Sequence, residues 1–358
     1  MNLGELKLYL ERTGYAELCS SFNPLKPRPS SWANARDCLT SRTLLRFLDL
    51  LLLGKVVDKG RFSDTELALL APLVDHGLMF DDGDSLRTND LCLYVVLGIW
   101  TFFELPKPDP KIYYGDDSFA LLNRLRPLPG GDTLDLCAGP GIQSLYCARL
   151  ANTVTSVEIN PFAAAIAMIN REMNGARNWE ILTGDLYRAL PTDRCFDHVV
   201  CNPPLLPFPE DESYPFVGNG GIDGWKVAWQ VLDGLPQRLR AGGRAQLIGT
   251  TLGDGVVPMI AEPLRRWAAD NAMDCQLVVV AQRELTRDSP WFEGLAYSSA
   301  ASSGRPIAMV RDRFQRFLTD QAATHLVSHY LHVSHGAGEL EIIDLFADER
   351  EAEELWYV

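Results

Sequence analysis

An α/β fold built on a mainly parallel sheet, fronted by a mainly helical N-terminal region, is what this sequence predicts. Three observations carry that expectation. From about Asp109 onward, short apolar runs rich in β-branched residues alternate with helical stretches, the pattern of parallel strands and their crossover helices. The first run breaks at a glycine-bearing bend, Asp135-Leu136-Cys137-Ala138-Gly139-Pro140-Gly141, from which the next helix starts. Before Asp109 the periodicity is helical instead, which divides the chain into an accessory domain over 1–108 and a sheet domain over 109–358.

The accessory region opens with two amphipathic stretches, "LGELKLYLERTGYAEL" and "SRTLLRFLDLLLLGKVV", separated by the Pro-rich link "NPLKPRPSSW". Ser63 with Glu66 three residues on forms a capping-box pattern at the start of the next helix. The segment "LMFDDGDSLRTNDLCLYVVLGIW" then reads as two short strands around an Asp-Asp-Gly-Asp turn. Helices followed by a small hairpin suggest a winged-helix-like module, but acids at the tip of the wing favour packing or substrate covering over DNA binding.

In the second region, strands are expected at 132–138, 153–159, 179–184, 196–202 and 244–251. The helix between the second and third starts with Pro161 in its first turn and stops at Gly175. The tail "ATHLVSHYLHVSHGAGELEIIDLF" reads as two strands joined through Gly336-Ala337-Gly338, an antiparallel hairpin that completes a seven-stranded sheet. Four histidines in that tail, His325, His329, His332 and His335, do not suit a metal site. On a strand His325 and His329 would stand about 13 Å apart, with His332 on the other face. They are expected to be exposed strand positions. The Ser- and Gly-rich segment 287–306 admits two readings, a lid over the pocket or a surface loop.

With 358 residues, 47% of them hydrophobic, the chain can bury a substantial core. A net charge of -14 disfavours large nucleic acids as partners. The eight cysteines are scattered without a C-x-x-C pair, so they read as buried reduced thiols. The opening residues lack a basic stretch followed by a signal-peptide core, and the run Leu50 to Leu53 is too short to span a bilayer. A cytoplasmic protein without membrane contact is expected.

The ends of the expected strands carry the chemistry. Gly139 and Gly141 let the backbone approach a ligand at the carboxyl edge of the sheet, where open α/β folds bind them. Ser144 stands where a dinucleotide fingerprint has its third small residue, so this bend alone leaves NAD open. Glu158 closes the second strand, where a carboxylate can accept both ribose hydroxyls, and Asn160 follows it. Asp185, with Leu186 beside it, closes the third and is placed to accept from an exocyclic adenine amine. The fourth strand ends in Asn202-Pro203-Pro204 within "VVCNPPLLP".

This ordered set resembles the class I S-adenosylmethionine-dependent methyltransferases of the Asn-Pro-Pro branch, over roughly Tyr113 to Thr251. The likeness is greatest to release-factor-type glutamine N5-methyltransferases and to small-domain RNA guanine N2-methyltransferases. It implies a Rossmann-like domain that binds S-adenosyl-L-methionine. It implies that Asp135, Gly139 and Gly141 hold the methionine part, Glu158 the ribose and Asp185 the adenine. "YYGDDSFALL" (113–122) sits where such enzymes close over the cofactor, which nominates Tyr114, Asp117 and Ser118. "GNGGIDGW" (218–225) matches a Gly-x-Asp-Gly segment of the glutamine enzymes and nominates Asp223.

Amide and exocyclic amine nitrogens are poor nucleophiles because their lone pair is delocalised. The Asn202 side-chain oxygen and the Pro203 carbonyl, by accepting the two N–H bonds, would orient such a nitrogen and stabilise its developing charge. The expected reaction is therefore N-methylation of an amide or amine, on a small molecule or a protein side chain. Leu205 departs from the aromatic that the family carries after Asn-Pro-Pro. Phe208, Tyr214, Phe216 and Trp225 follow in the next segment as rings that could serve in its place. Two alternatives remain: methylation of an RNA or DNA base amino group, or use of the cofactor's aminobutyrate arm with release of methylthioadenosine.

Overall fold

The computed structural model describes residues 3–23 and 29–345, so half of the Pro-rich link, 24–28, lies outside the described residues. The N-terminal region begins with helices Leu3–Arg12, Tyr15–Ser20, Pro29–Arg36 and Arg42–Phe47, the last continuing into a wider turn over Leu48–Leu52. Strand β1 (Val57–Asp58) precedes helix Asp64–Asp75, whose start carries the capping box in full. The Ser63 hydroxyl accepts from Glu66 N at 3.3 Å and the Glu66 carboxylate accepts from Ser63 N at 2.8 Å. Strands β2 (Met79–Asp81) and β3 (Ser85–Thr88) flank the Asp-Asp-Gly-Asp turn and form a three-stranded sheet, β1-β3-β2. The tip acids close that turn: Asp82 accepts from Ser85 N at 2.7 Å and Lys59 pairs with Asp81 at 2.8 Å.

The stretch read as one hairpin contains two. Strands β4 (Leu91–Val96) and β5 (Ile99–Glu104) form the second, turning on Leu97 and Gly98, both with positive φ as a two-residue hairpin requires. Every residue of both strands is buried, because the pair is sandwiched between the N-terminal helices and helix Pro161–Asn174. Asn170 and Asn174 of that helix each bind both backbone groups of a β5 residue, Asn170 with Phe102 and Asn174 with Trp100. A step of four residues on a helix rises about 6 Å and a step of two on a strand about 6.6 Å, so the two asparagines match alternate strand residues. One apolar core runs without a break from Leu3 and Leu6 through Trp100 and Phe102 to Ile166 and Met173.

The main sheet has eight strands among the described residues. They are β6 (Asp132–Leu136), β7 (Thr153–Glu158), β8 (Trp179–Thr183), β9 (Phe196–Cys201), β10 (Leu239–Gly253), β11 (Met273–Glu284), β12 (His325–His335) and β13 (Leu340–Asp344). Their order is β13-β11-β12-β10-β9-β6-β7-β8. Strands β6 to β10 are parallel, with the order reversing after β6, which is the Rossmann-like arrangement with its ligand edge at the strand C-termini.

The tail departs from the expected hairpin. Strand β12 is already paired on both sides, antiparallel to β10 and to β11, so β13 takes the free edge of β11 and runs parallel to it. Asp274 holds the crossing, accepting from Gly338 N at 3.0 Å and Glu339 N at 3.1 Å. His329 is a second correction: it is 1% exposed, tucked opposite Gly249 with its ring 5.2 Å from that of Trp225. The segment 287–306 is neither lid nor loop. Ser289 caps helix Pro290–Ser303, Gly304 ends it, and with helix Ile307–Asp320 it builds a third core around Phe292, Phe314 and Phe317. Of the cysteines, Cys38 is exposed and Cys137 and Cys195 are half-buried, while the others are buried.

Candidate active site

Four strand ends and two flanking segments enclose a cavity of ≈ 330 Å³. Strands β6, β7, β8 and β9 contribute Cys137 to Pro140, Glu158 to Asn160, Gly184 to Leu186, and Asn202 to Pro204. Lys111 to Tyr113, Asp117 and Ser118 close one side, and Phe216, Val217, Lys226, Val227 and Gln230 the other. Of the residues nominated from sequence, the structure thus brings Asp117, Ser118, Gly139, Glu158, Asn160, Asp185, Leu186, Asn202 and Pro203 to one cavity.

The bend after β6 is drawn tight by positive φ at Cys137, Gly139 and Gly141. Glu158 holds it against β7. One carboxylate oxygen accepts from Gly139 N and the other from Asn160 N, both at 2.7 Å, which leaves each oxygen a second lone pair toward the cavity. Burial raises the Glu158 pKa above its ordinary value, opposed by these backbone donors. The Asn160 side chain caps helix Pro161–Asn174 through Phe162 N at 3.0 Å and donates to the Lys111 carbonyl at 2.9 Å. Asp185 is half-exposed and pairs with Arg188 at 2.8 Å.

Asn202 lines the cavity together with Pro203 and Pro204. Its Nδ2 donates to Asp117 at 3.2 Å, while its buried Oδ1 has no hydrogen-bond partner among the described residues.

Other nominated residues lie elsewhere. Asp135 sits under the floor, 1% exposed, where it accepts from the Ser144 hydroxyl at 2.6 Å. Gly141 is spent on packing: a Cβ there would lie 2.1 Å from the Trp179 ring, whose indole N–H donates to Ser156 at 2.9 Å. Tyr114 faces the N-terminal core, its ring 4.9 Å from that of Phe103, and the adjacent Tyr113 lines the cavity instead. Leu205 is 7% exposed and its carbonyl accepts from the Thr250 hydroxyl, so it belongs to the core. Phe208 stacks on Phe314 at 5.0 Å, and Tyr214 packs on Phe208 at 4.8 Å. Asp223 accepts from Trp225 N at 2.8 Å and from the Trp229 indole at 2.9 Å, and Trp225 is buried beside His329. The ring that reaches the cavity from this segment is Phe216, 62% exposed. Sequence reasoning passed over Tyr113, Lys226 and Gln230. The i, i+4 spacing of the last two was the available signal for a shared helix face.

Asp135 carries a pH prediction. Burial pushes its carboxyl up to about 7 against the Ser144 donors that pull it down. The folded chain keeps that proton to about pH 7, whereas the unfolded chain releases it near pH 4, so stability falls as pH rises through this window. Without cofactor, the melting temperature of Asp135→Asn relative to the parent is expected to improve from pH 5 to pH 8. A constant difference would show that Asp135 is ionised in the fold.

The cavity suits a cationic ligand. Asp117, Glu158 and Asp185 outnumber Lys111 and Lys226 along its lining, and an added Cβ on Gly139 would meet open space, leaving room at the bend. The comparisons with known proteins agree. Residues 116–251 match the methyltransferase small domain family. A Methanocaldococcus jannaschii protein, provisionally named a protein N5-glutamine methyltransferase, is 33% identical over 152 residues, covering 41% of this chain and 76% of that protein. A release factor glutamine methyltransferase of Rhodopirellula baltica is 28% identical, covering 44% of this chain and 57% of that protein. The 4-amino-L-phenylalanine/4-methylamino-L-phenylalanine methyltransferase of Streptomyces pristinaespiralis is 36% identical, covering 32% and 39%.

The parallel strand order with a cavity at the strand C-termini defines a Rossmann-like fold. The chain belongs to the methyltransferase small domain family and is an S-adenosyl-L-methionine-dependent methyltransferase.

Proposed function

We propose that this enzyme methylates nitrogen on a planar acceptor, foremost the side-chain amide of a protein glutamine. The observation that carries the reading is that Asn202, which lines the cavity beside Pro203, has a buried Oδ1 without a hydrogen-bond partner among the described residues. A buried acceptor atom left without a donor costs about 1–3 kcal/mol, a cost that an incoming N–H removes. In this reading Glu158 binds the ribose hydroxyls, Asp185 the adenine amine, and the Gly139 bend the methionine part, with Asp135 supporting that bend from below through Ser144. When bound, the cofactor supplies an electrophilic methyl group on sulfonium sulfur. Asn202 Oδ1 and the Pro203 carbonyl accept the two acceptor N–H bonds and hold the nitrogen for in-line attack. Tyr113 and Phe216 give the cavity aromatic faces for a planar group; of the four rings offered in place of Leu205, Phe216 lines the cavity, and Phe208, Tyr214 and Trp225 pack elsewhere.

The test incubates the enzyme and S-adenosylmethionine with a bacterial release factor, with 4-amino-L-phenylalanine, and with single-stranded RNA. Mass spectrometry then identifies both products. N-methylglutamine together with S-adenosylhomocysteine is expected. Methylated RNA as the sole acceptor product would replace the acceptor class, and methylthioadenosine as the sole cofactor product would overturn methyl transfer.

A further inference from the structure

We propose that Asp117 is a positioning residue: its carboxylate fixes the Asn202 amide in the orientation that turns Oδ1 toward the acceptor nitrogen. The inference rests on the role given to Asn202 above. A primary amide has two ends of nearly equal shape, and half a turn about its last torsion exchanges an oxygen that accepts N–H bonds for an NH2 group that repels them. At a site that must accept two N–H bonds, the turned amide is inactive. Something has to select between the two states, and only an acceptor on the Nδ2 side selects the productive one.

Asp117 fits that requirement. It lies 85 residues away in sequence, in the first turn of helix Asp116–Arg124, and accepts from Asn202 Nδ2 at 3.2 Å. It is 8% exposed, so water does not compete well for the contact. Its own placement is fixed by the helix start, where Gly115 N donates to the Ser118 hydroxyl at 3.3 Å and the exposed N–H groups of the first turn favour a carboxylate. With the amide held this way, Oδ1 is the end left without a partner. A neutral or donating residue at 117 would leave the two amide states nearly degenerate.

The arrangement is sensitive to protonation. Burial raises Asp117 above its ordinary value, while Asn202, the Ser118 N–H and Tyr113 pull it back. The groups facing it are Tyr113, Tyr114 and Asp116 on its own segment and Tyr330 on β12, and Arg283 on β11 faces Asp116. Burial beside Asp117 pushes Asp116 up to about 7, so the two acids share charge with difficulty. Once protonated, Asp117 offers a hydroxyl that Asn202 Oδ1 can accept, which rewards the turned amide.

The test uses Asp117→Asn and Asp117→Ala in the full chain, with two independent readouts. In protein labelled with 15N-asparagine, the Asn202 side-chain NH2 signals, assigned by their absence in Asn202→Ser, are expected to titrate with Asp117. In both variants they should stop titrating. In steady-state assays with a release factor as acceptor, Asp117→Ala is expected to lower kcat about 100-fold and Asp117→Asn about tenfold, with KM nearly unchanged. The acid limb of the kcat profile should disappear in both. S-adenosylhomocysteine affinity, measured by calorimetry, should stay within about twofold. Unmoved NH2 signals, or kcat retained alongside weakened S-adenosylhomocysteine binding, would overturn the inference and make Asp117 a cofactor ligand or a structural acid. Coupled NH2 signals with no N-methylated product from any acceptor would sink the proposed function and leave the Asp117–Asn202 contact standing.

Discussion

Asn202→Ala is expected to lower kcat by about 10²–10³-fold, a loss of about 2.7–4 kcal/mol of transition-state stabilisation, with S-adenosylhomocysteine affinity within about twofold of the parent. The asymmetry between the two effects comes from where the side chain points. Among the described residues its Nδ2 donates to Asp117 and its buried Oδ1 has no partner, so truncation removes the acceptor that the proposed function assigns to the substrate nitrogen. The contacts that shape the end proposed for the cofactor, Glu158 to Gly139 N and to Asn160 N, do not involve Asn202. Isothermal titration and steady-state kinetics on one preparation check both halves. Equal losses in affinity and turnover would move Asn202 from the acceptor to the cofactor.

The chain reveals different parts of this site unequally, for physical reasons. Residues at or just after a strand end were legible, because the strands buried on both faces read as short continuous apolar runs and the polar residue that breaks each run stands at the ligand edge: Glu158, Asp185 and Asn202 follow from this. Residues whose role depends on a long-range partner were not. The neighbours Tyr113 and Tyr114 look alike in sequence, and only the aromatic cluster of Tyr94 and Phe103 decides which one turns inward. The segment after Asn-Pro-Pro is rich in rings, yet most of them pack on helices Pro290–Ser303 and Ile307–Asp320 or on His329. Asp211 and Glu212 in that segment are tied to Arg313 and Arg305 of the same helical insert, which makes it a clamped wall. Strand β11 was missed although "CQLVVVAQ" is a sound strand run, and its omission turned a crossing into a supposed hairpin.

Asn170→Leu is expected to destabilise the fold by more than about 4 kcal/mol and to weaken S-adenosylhomocysteine binding. Asn174→Leu, one turn on, should cost about half as much and leave binding unchanged. Asn170 is fully buried and satisfies three backbone groups at once: it accepts from Phe102 N at 2.7 Å and donates to the carbonyls of Phe102 at 3.1 Å and Pro140 at 2.9 Å. Leucine has nearly the same volume, so little cavity is created, but all three groups lose their partner. Each costs about 1–3 kcal/mol when buried unsatisfied. Asn174 serves Trp100 in the same way but is only half-buried, so water recovers part of the loss. The difference in binding follows from Pro140, which lies in the bend that lines the cavity proposed for the cofactor and, of the two asparagines, is bonded by Asn170. Through this one side chain, strand β5 of the N-terminal region, helix Pro161–Asn174 and the bend at Pro140 are tied together. Equilibrium denaturation in urea, with calorimetry on the folded variants, measures both terms. A stable Asn170→Leu with full cofactor affinity would show that the N-terminal hairpin is docked by its apolar contacts alone.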